Sequence, residues 1–194
     1  EFSALADTFA AQGLQLGYHN HSHEFAPFAD DPVSINSKET PMWLLFERCS
    51  SNVWFEIDTY WVAHGGADPA DWIDRVRGRI PVVHFKDMTI DSTRVQKICE
   101  VGAGNLNWSR IVESCKAAGV ESYMIERDDG DLDPFTSLKI SIANMGPGGS
   151  NTGSVPNLLQ RRELVMYAVL VTVGLSHILH SVSSARRGSH NAPS

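Results

Sequence analysis

The stretch VWFEIDTYW, residues 53–61, alternates in character: Phe55, Ile57 and Thr59 fall on one face, and Glu56, Asp58 and Tyr60 on the other. That period of two is the mark of a strand. One face is apolar and fit to pack on helices; the other turns polar towards the C-terminal end. Three further stretches repeat the pattern. In LQLGYHNH, 14–21, Leu14, Leu16 and Tyr18 oppose Gln15, Gly17, His19 and His21. In IPVVHFKDM, 80–88, Val83 and Phe85 oppose Val82, His84 and Lys86. In ESYMIERDD, 121–129, Tyr123 and Ile125 oppose Met124, Glu126 and Asp128. Helical stretches are predicted between them, at roughly 38–50, 69–79 and 107–118. Pro69 and Asp71 suit a first helical turn, and Gly119 stands where a helix stop is expected. Strands that alternate with helices imply βα units and a parallel sheet. An open, doubly wound sheet buries both strand faces more uniformly. A barrel of parallel strands, with function gathered at its C-terminal mouth, accounts for a face that turns polar at one end.

The bulk properties narrow the partners. The chain has 194 residues, 42% of them hydrophobic, enough for one sizeable core. Its net charge of −7 argues against a nucleic-acid backbone as main partner, which would need a basic face. Cys49, Cys99 and Cys115 are far apart and form no CxxC pair, so no disulfide framework or zinc–cysteine site is indicated. A reducing, cytoplasmic location fits. The opening EFSALADTFAAQG has no basic n-region. It reads as the second half of an amphipathic helix, with Phe2, Leu5, Ala6, Phe9 and Ala10 at helical spacing, as in a fragment or a chain lacking its start.

The C-terminal part differs. A Gly/Ser/Pro/Asn-rich linker is expected at 143–160, then an apolar helix and a polar, basic tail at 161–194. The apolar run from Leu164 to Leu179 is interrupted by Gly174, Ser176 and His177 and is short for a membrane span. A buried or interfacial helix is the first reading; a membrane anchor and a non-native tail are the alternatives.

Chemistry-bearing residues collect near the strand ends. GYHNHSHEF, 17–25, supplies His19, His21, His23 and Glu24; the later strands supply Asp58, His84 with Lys86, and Glu126 with Asp128. Each has a bland reading alone: Asp58 as a helix cap, His84 as a core histidine, Glu126 and His23 as solvated charges, Trp61 as core, Lys86 as a partner of Asp87 or Asp128. Recurrence at the same place on four strands favours a metal or polar active site. Mixed imidazole and carboxylate donors without thiolate suit Mn²⁺, Mg²⁺, Co²⁺ or Zn²⁺. GAG at 102–104 lacks the spacing of a nicotinamide fingerprint.

HNHxxEF at 19–25, IDTYWV at 57–62, GGADP at 65–69, GR at 78–79, HFKDM at 84–88, EVGAGNLNW at 100–108 and IERDD at 125–129 follow in order. Together they resemble the sugar phosphate isomerase/epimerase family of xylose isomerase-like TIM barrels, over residues 1–142. The resemblance implies an α/β fold, a partial (β/α)₈ barrel made of the later βα units only, followed by a non-homologous tail. A whole barrel takes about 250 residues, so the earlier units have no counterpart, and the family's closing helix is expected after SLKIS at 137–141. It further implies one divalent metal ion held by Glu24, Asp58, His84 and Glu126, with His19 or His21 as stand-in for Glu24. Glu126 and Glu24 would be the catalytic bases, and His19, His21, Lys86 and Trp61 would bind the substrate. The implied reaction is isomerisation or epimerisation of a ketose or keto-sugar by proton abstraction through a metal-stabilised enediolate. Alternatives are a lyase or dehydratase on a keto-inositol or 3-keto-glycoside, an AP-endonuclease-like enzyme, and an inactive truncated barrel. The expected partner is a small-molecule sugar, without nucleic acid or membrane; homo-oligomers stay open.

Overall fold

The computed structural model describes residues 1–28 and 40–146. In chain order the elements are α1 (Phe2–Ala10), β1 (Leu16–His19), a 3₁₀ turn (His23–Phe25), α2 (Pro41–Arg48), β2 (Val53–Asp58), α3 (Thr59–His64), α4 (Pro69–Arg75), β3 (Val82–Phe85), β4 (Asp87–Ile90), β5 (Gln96–Cys99), α5 (Trp108–Ala118), β6 (Ser122–Ile125) and α6 (Pro134–Met145). β1, β2, β3 and β6 form one sheet in that order, and every pair is parallel. Among the described residues β1 and β6 are its edges.

Helix starts follow local chemistry. Thr40, Asp68, Asn107 and Asp133 each accept a backbone N–H of the first turn, which satisfies donors a helix leaves open. Pro occupies the first turn of α2, α4 and α6, where its missing N–H costs nothing. α5 ends at Gly119 with φ 82°, a left-handed conformation that glycine adopts without a Cβ penalty.

The apolar strand faces make the core. Phe55, Ile57, Val83 and Phe85 are fully buried, together with Ile73, Val76 and Ile111 from the covering helices and their connections. Each such side chain contributes about 1.5–3 kcal/mol of burial. A second, smaller cluster sets Ala6 of α1 against Leu16 and Val53, with Phe2 and Phe9 half-buried around it. Arg79 ties the base of the sheet, donating to the carbonyls of Val53, Phe46 and Ser50.

Several expected boundaries move. The strand expected to run to Trp61 stops at Asp58, because the Asp58 carboxylate caps the helix α3 that starts at Thr59. The strand expected at 80–88 leaves the sheet after Phe85, and residues from Asp87 enter an antiparallel hairpin of β4 with β5. The sequence pattern missed that hairpin. Its turn is set by Asp91 Oδ1, which accepts from the Thr93 N–H, the Thr93 hydroxyl and the Val95 N–H. SLKIS does not precede the last helix but lies inside α6, started by the Asp133 cap. α6 runs to Met145, and the remainder of the expected linker and the apolar helix and tail at 161–194 lie outside the described residues. Among the described residues no helix is long and apolar enough to cross a membrane.

Asp87 links the HFKDM and EVGAGNLNW blocks. Its carboxylate is fully buried. Oδ2 accepts from the N–H groups of Gly102 (2.9 Å) and Gly104 (3.0 Å) and from Trp108 Nε1 (2.6 Å). Oδ1 accepts from the N–H groups of Met88 (2.8 Å) and Leu106 (3.4 Å). Burial raises its pKa, and these donors pull the other way. Gly104 has to be glycine for this approach: a Cβ there would lie 2.4 Å from the Met88 carbonyl and 2.5 Å from Asp87 Oδ1.

Candidate metal centre

Strand register brings the site together. Residues directly paired in a parallel sheet point to the same face, as do residues two apart on one strand. His19 pairs with Glu56, Asp58 pairs with His84, and His84 pairs with Met124. His19, Glu56, Asp58 and His84 therefore share one face at the C-terminal end of the sheet. Glu126 follows one residue after β6 and donates its N–H to the Phe85 carbonyl (3.3 Å). One donor atom from each of His19, Asp58, His84 and Glu126 lies within 4.8 Å of all the others.

Asp58 serves two ends. Oδ1 accepts the Trp61 N–H at 2.9 Å and caps α3. Oδ2 faces the cluster, fully buried, with Lys86 Nζ 2.9 Å away but no donor aligned for a hydrogen bond. The backbone N–H of Asp58 donates to Asn20 Oδ1 (3.0 Å), which fixes the middle of HNH against β2. Thr59 accepts the Lys86 N–H at 3.0 Å, and its hydroxyl donates to the Lys86 carbonyl at 2.8 Å, so the start of α3 holds the end of β3.

The electrostatics are dense. His84 Nδ1 lies 2.5 Å from Glu126 Oε2, and its Nε2 lies 3.0 Å from Glu56 Oε1. Burial disfavours the imidazolium, but these two carboxylates prevail and hold His84 at a pKa of about 10. Glu56 also reaches His19 Nδ1 at 3.2 Å. Burial works against its charge, yet His19 and His84 bring its pKa down to about 2. Lys86 is 1% exposed and meets three carboxylates, Asp58 (2.9 Å), Glu126 (3.0 Å) and Asp128 (2.8 Å). Desolvation would lower its pKa; the three negative charges raise it above its ordinary value. Glu126 is opposed by burial as well, but His84 and Lys86 hold it well below the usual carboxylate range.

The expected site residues divide into two groups. His19, Asp58, His84 and Glu126 come together, and Lys86 joins them through Asp58 and Glu126, not through Asp87. Glu24 is not in that donor group. Its carboxylate is buried in a separate contact, where it accepts from the Tyr18 hydroxyl (2.6 Å) and the His21 N–H (2.9 Å), with His23 Nε2 at 3.1 Å. His19, expected as a substrate contact with a stand-in role, takes the fourth place instead, because it sits on the strand and Glu24 lies in the turn beyond it. His21 and Trp61 lie beside the cluster with ring centroids 5.4 Å apart, and Lys86 Nζ is 5.6 Å from the Trp61 ring. Sequence reasoning gave Glu56 no role, although its spacing of two from Asp58 placed it on the polar face.

The donor set fits a divalent cation. Two imidazoles and two carboxylates converge, no thiolate is present, and buried Asp58 Oδ2 lacks an aligned donor. Among the described residues, buried His19 Nδ1 likewise has no aligned hydrogen-bond partner.

No family model matches the chain, and no curated protein does. Solved structures do. A sugar phosphate isomerase/epimerase from Parabacteroides distasonis superposes with a TM-score of 0.57 at 26% identity, covering 74% of this chain and 49% of its own. A second structure of that description from the same organism gives a TM-score of 0.56 at 24% identity, covering 72% of this chain and 48% of its own. The chain resembles the later part of a sugar phosphate isomerase/epimerase. It spans about half the length of the structures it matches, and its fold is a partial (β/α)₈ barrel of later βα units. The mouth of such a barrel, at the C-terminal ends of the strands, is where His19, Asp58, His84 and Glu126 meet.

Proposed function

We propose that this chain carries the metal and proton-transfer half of a sugar isomerase or epimerase that acts on a ketose or keto-sugar. The observation behind this reading is the convergence of His19, Asp58, His84 and Glu126 from four neighbouring parallel strands. These four residues would hold one divalent ion, Mn²⁺, Co²⁺, Mg²⁺ or Zn²⁺. When bound, the ion supplies Lewis-acid polarisation of a carbonyl. Glu126 is the base that takes the proton next to that carbonyl, since its carboxylate is kept ionised by His84 and Lys86. The Lys86 ammonium steadies a hydroxyl or oxyanion of the substrate. Trp61 and His21 offer ring faces to the sugar's C–H bonds. Glu24 is the candidate for a second base; with the Tyr18 hydroxyl on its Oε1 and the His21 N–H on its Oε2, it also fixes the loop that carries His21.

The test is incubation of the full chain with Mn²⁺ and a panel of ketoses and keto-sugars in D₂O, followed by NMR. Deuterium entering at the carbon beside the carbonyl, in native protein but not in Glu126→Gln, is expected. Product that has lost water or an aglycone would make the enzyme a lyase. Metal analysis of the native chain against Asp58→Asn tests the ligand set separately: about one ion per chain is expected, and none in the variant. Equal metal content in both would remove Asp58 from the site.

A further inference from the structure

Glu56 lies between the two histidines of the cluster, yet nothing in the proposed chemistry uses it. Its residue is 8% exposed, it sits on β2 two residues before Asp58, and it is paired in register with His19 on β1. Oε1 is 3.0 Å from His84 Nε2 and Oε2 is 3.2 Å from His19 Nδ1, so each oxygen faces a different imidazole. The two rings are themselves close, with centroids 4.8 Å apart. No lysine or arginine reaches Glu56 among the ion pairs of the described residues; its countercharges are imidazoles alone.

A neutral imidazole has one N–H and one lone pair, and whatever accepts the N–H decides which nitrogen can bind an ion. Histidines that bind metals as a rule donate the other ring N–H to a carboxylate or carbonyl, which fixes tautomer and ring orientation. We infer that Glu56 is the positioning residue for both histidines. Glu56 stands within hydrogen-bond distance of His84 Nε2 and His19 Nδ1, the second contact not aligned as a hydrogen bond. By accepting from both as the rings settle on the ion, it would turn His84 Nδ1 and His19 Nε2 towards it. His84 Nδ1 is the nitrogen that faces Glu126, 2.5 Å away, which agrees with that direction. One carboxylate on β2 thus sets two ligands on the strands that flank it, and a side chain that accepts at only one atom cannot replace it. The metal part of this inference rests on the metal-centre reading above; the orientation of the rings does not.

Glu56→Gln separates orientation from packing. Glutamine fills the same volume but offers one acceptor oxygen and one NH₂ donor. The NH₂ must face one of the two imidazoles, which then turns its lone pair towards residue 56 and its N–H towards the ion. The experiment is Co²⁺ titration of the full-length native and Glu56→Gln chains by visible absorption. It is accompanied by thermal melts and by ¹⁵N-resolved NMR of the imidazole nitrogens in chelator. The expected result is folded Glu56→Gln protein, Co²⁺ affinity about 10–100-fold weaker than native, and shifted imidazole ¹⁵N resonances at His19 or His84. Native Co²⁺ affinity in Glu56→Gln, or imidazole resonances unmoved by the substitution, overturns the inference. If the native chain itself binds no Co²⁺, the metal-centre reading fails. The imidazole resonances then decide alone: movement in Glu56→Gln supports the orienting role, and none removes it.

Discussion

Asp87→Asn isolates the contribution of one buried carboxylate to the fold that carries the site. The native oxygens receive three donors on Oδ2 and two on Oδ1, from Gly102, Gly104, Trp108, Met88 and Leu106. Asparagine has one acceptor oxygen and one NH₂. Its best placement keeps the oxygen towards Gly102, Gly104 and Trp108, and the NH₂ then opposes the N–H groups of Met88 and Leu106. A buried donor left unpaired costs about 1–3 kcal/mol. The Leu106 bond is long at 3.4 Å and belongs at the low end of that range. The three surviving bonds lose their charge assistance, which weakens each of them. Burying a neutral amide in place of an ion returns part of this. The net loss is about 2–4 kcal/mol, a large share of a stability that is about 5–15 kcal/mol for ordinary domains.

The assay is a thermal melt of the full chain with chelator present, beside Asp131→Asn at an exposed position as control. For a chain of this size about 1 kcal/mol shifts Tm by about 2–4 °C, so a fall of roughly 5–15 °C is expected from Asp87→Asn. A fall no larger than that of the control would refute the reasoning. It would mean that the loop from Glu100 to Trp108 does not depend on the carboxylate it surrounds.

Lys86→Met leaves Asp58, Glu126 and Asp128 without their shared ammonium, and breaking a buried ion pair from one side costs about 3–5 kcal/mol. The loss is expected in chelator and partly recovered with Mn²⁺, which would neutralise Asp58 and Glu126 but not Asp128; a native melting temperature in chelator would contradict this. In metal-free protein the pH dependence of stability has two limbs. Glu56 is shifted down from 4.5 to about 2, so its contribution is complete above pH 4.5 and lost as pH falls towards 2. His84 is shifted up from 6.5 to about 10, so its contribution is complete below pH 6.5 and lost as pH rises through 10. Melts across pH are expected to show a plateau between about 4.5 and 6.5, with the acid limb flattened in Glu56→Gln; unchanged pH profiles in that variant would speak against the shifts.

Much of the site was legible because strand alternation is local. Each of Asp58, His84 and Glu126 stands on the polar face of an alternating run, near the end where the polar residues collect. Their common side could be read from a period of two without knowing which strand lies beside which. The choice between His19 and Glu24 was not legible. They are five residues apart, one on the strand and one in the turn, and only the packed turn shows Glu24 already held by Tyr18 and the His21 N–H. Nor was the role of Glu56. A carboxylate on a polar face is ordinary until register sets it beside His19 on one neighbour strand and within reach of His84 on the other.

By itself the sequence determined the parallel βα alternation, the apolar faces that form the core, the helix starts near Pro69 and Asn107, and the gathering of polar residues at the strand ends. These follow from side-chain period and capping, which act over a few residues. Tertiary structure decided the short-range competition at Asp58, where one carboxylate both ends a strand and starts a helix. It also decided the hairpin after Lys86, the five-donor cradle of Asp87, and the sharing of Glu56 by two histidines. The last two depend on hydrogen-bond partners or charges distant in sequence. Only the folded chain brings them within about 3 Å, the range at which a buried polar group is satisfied.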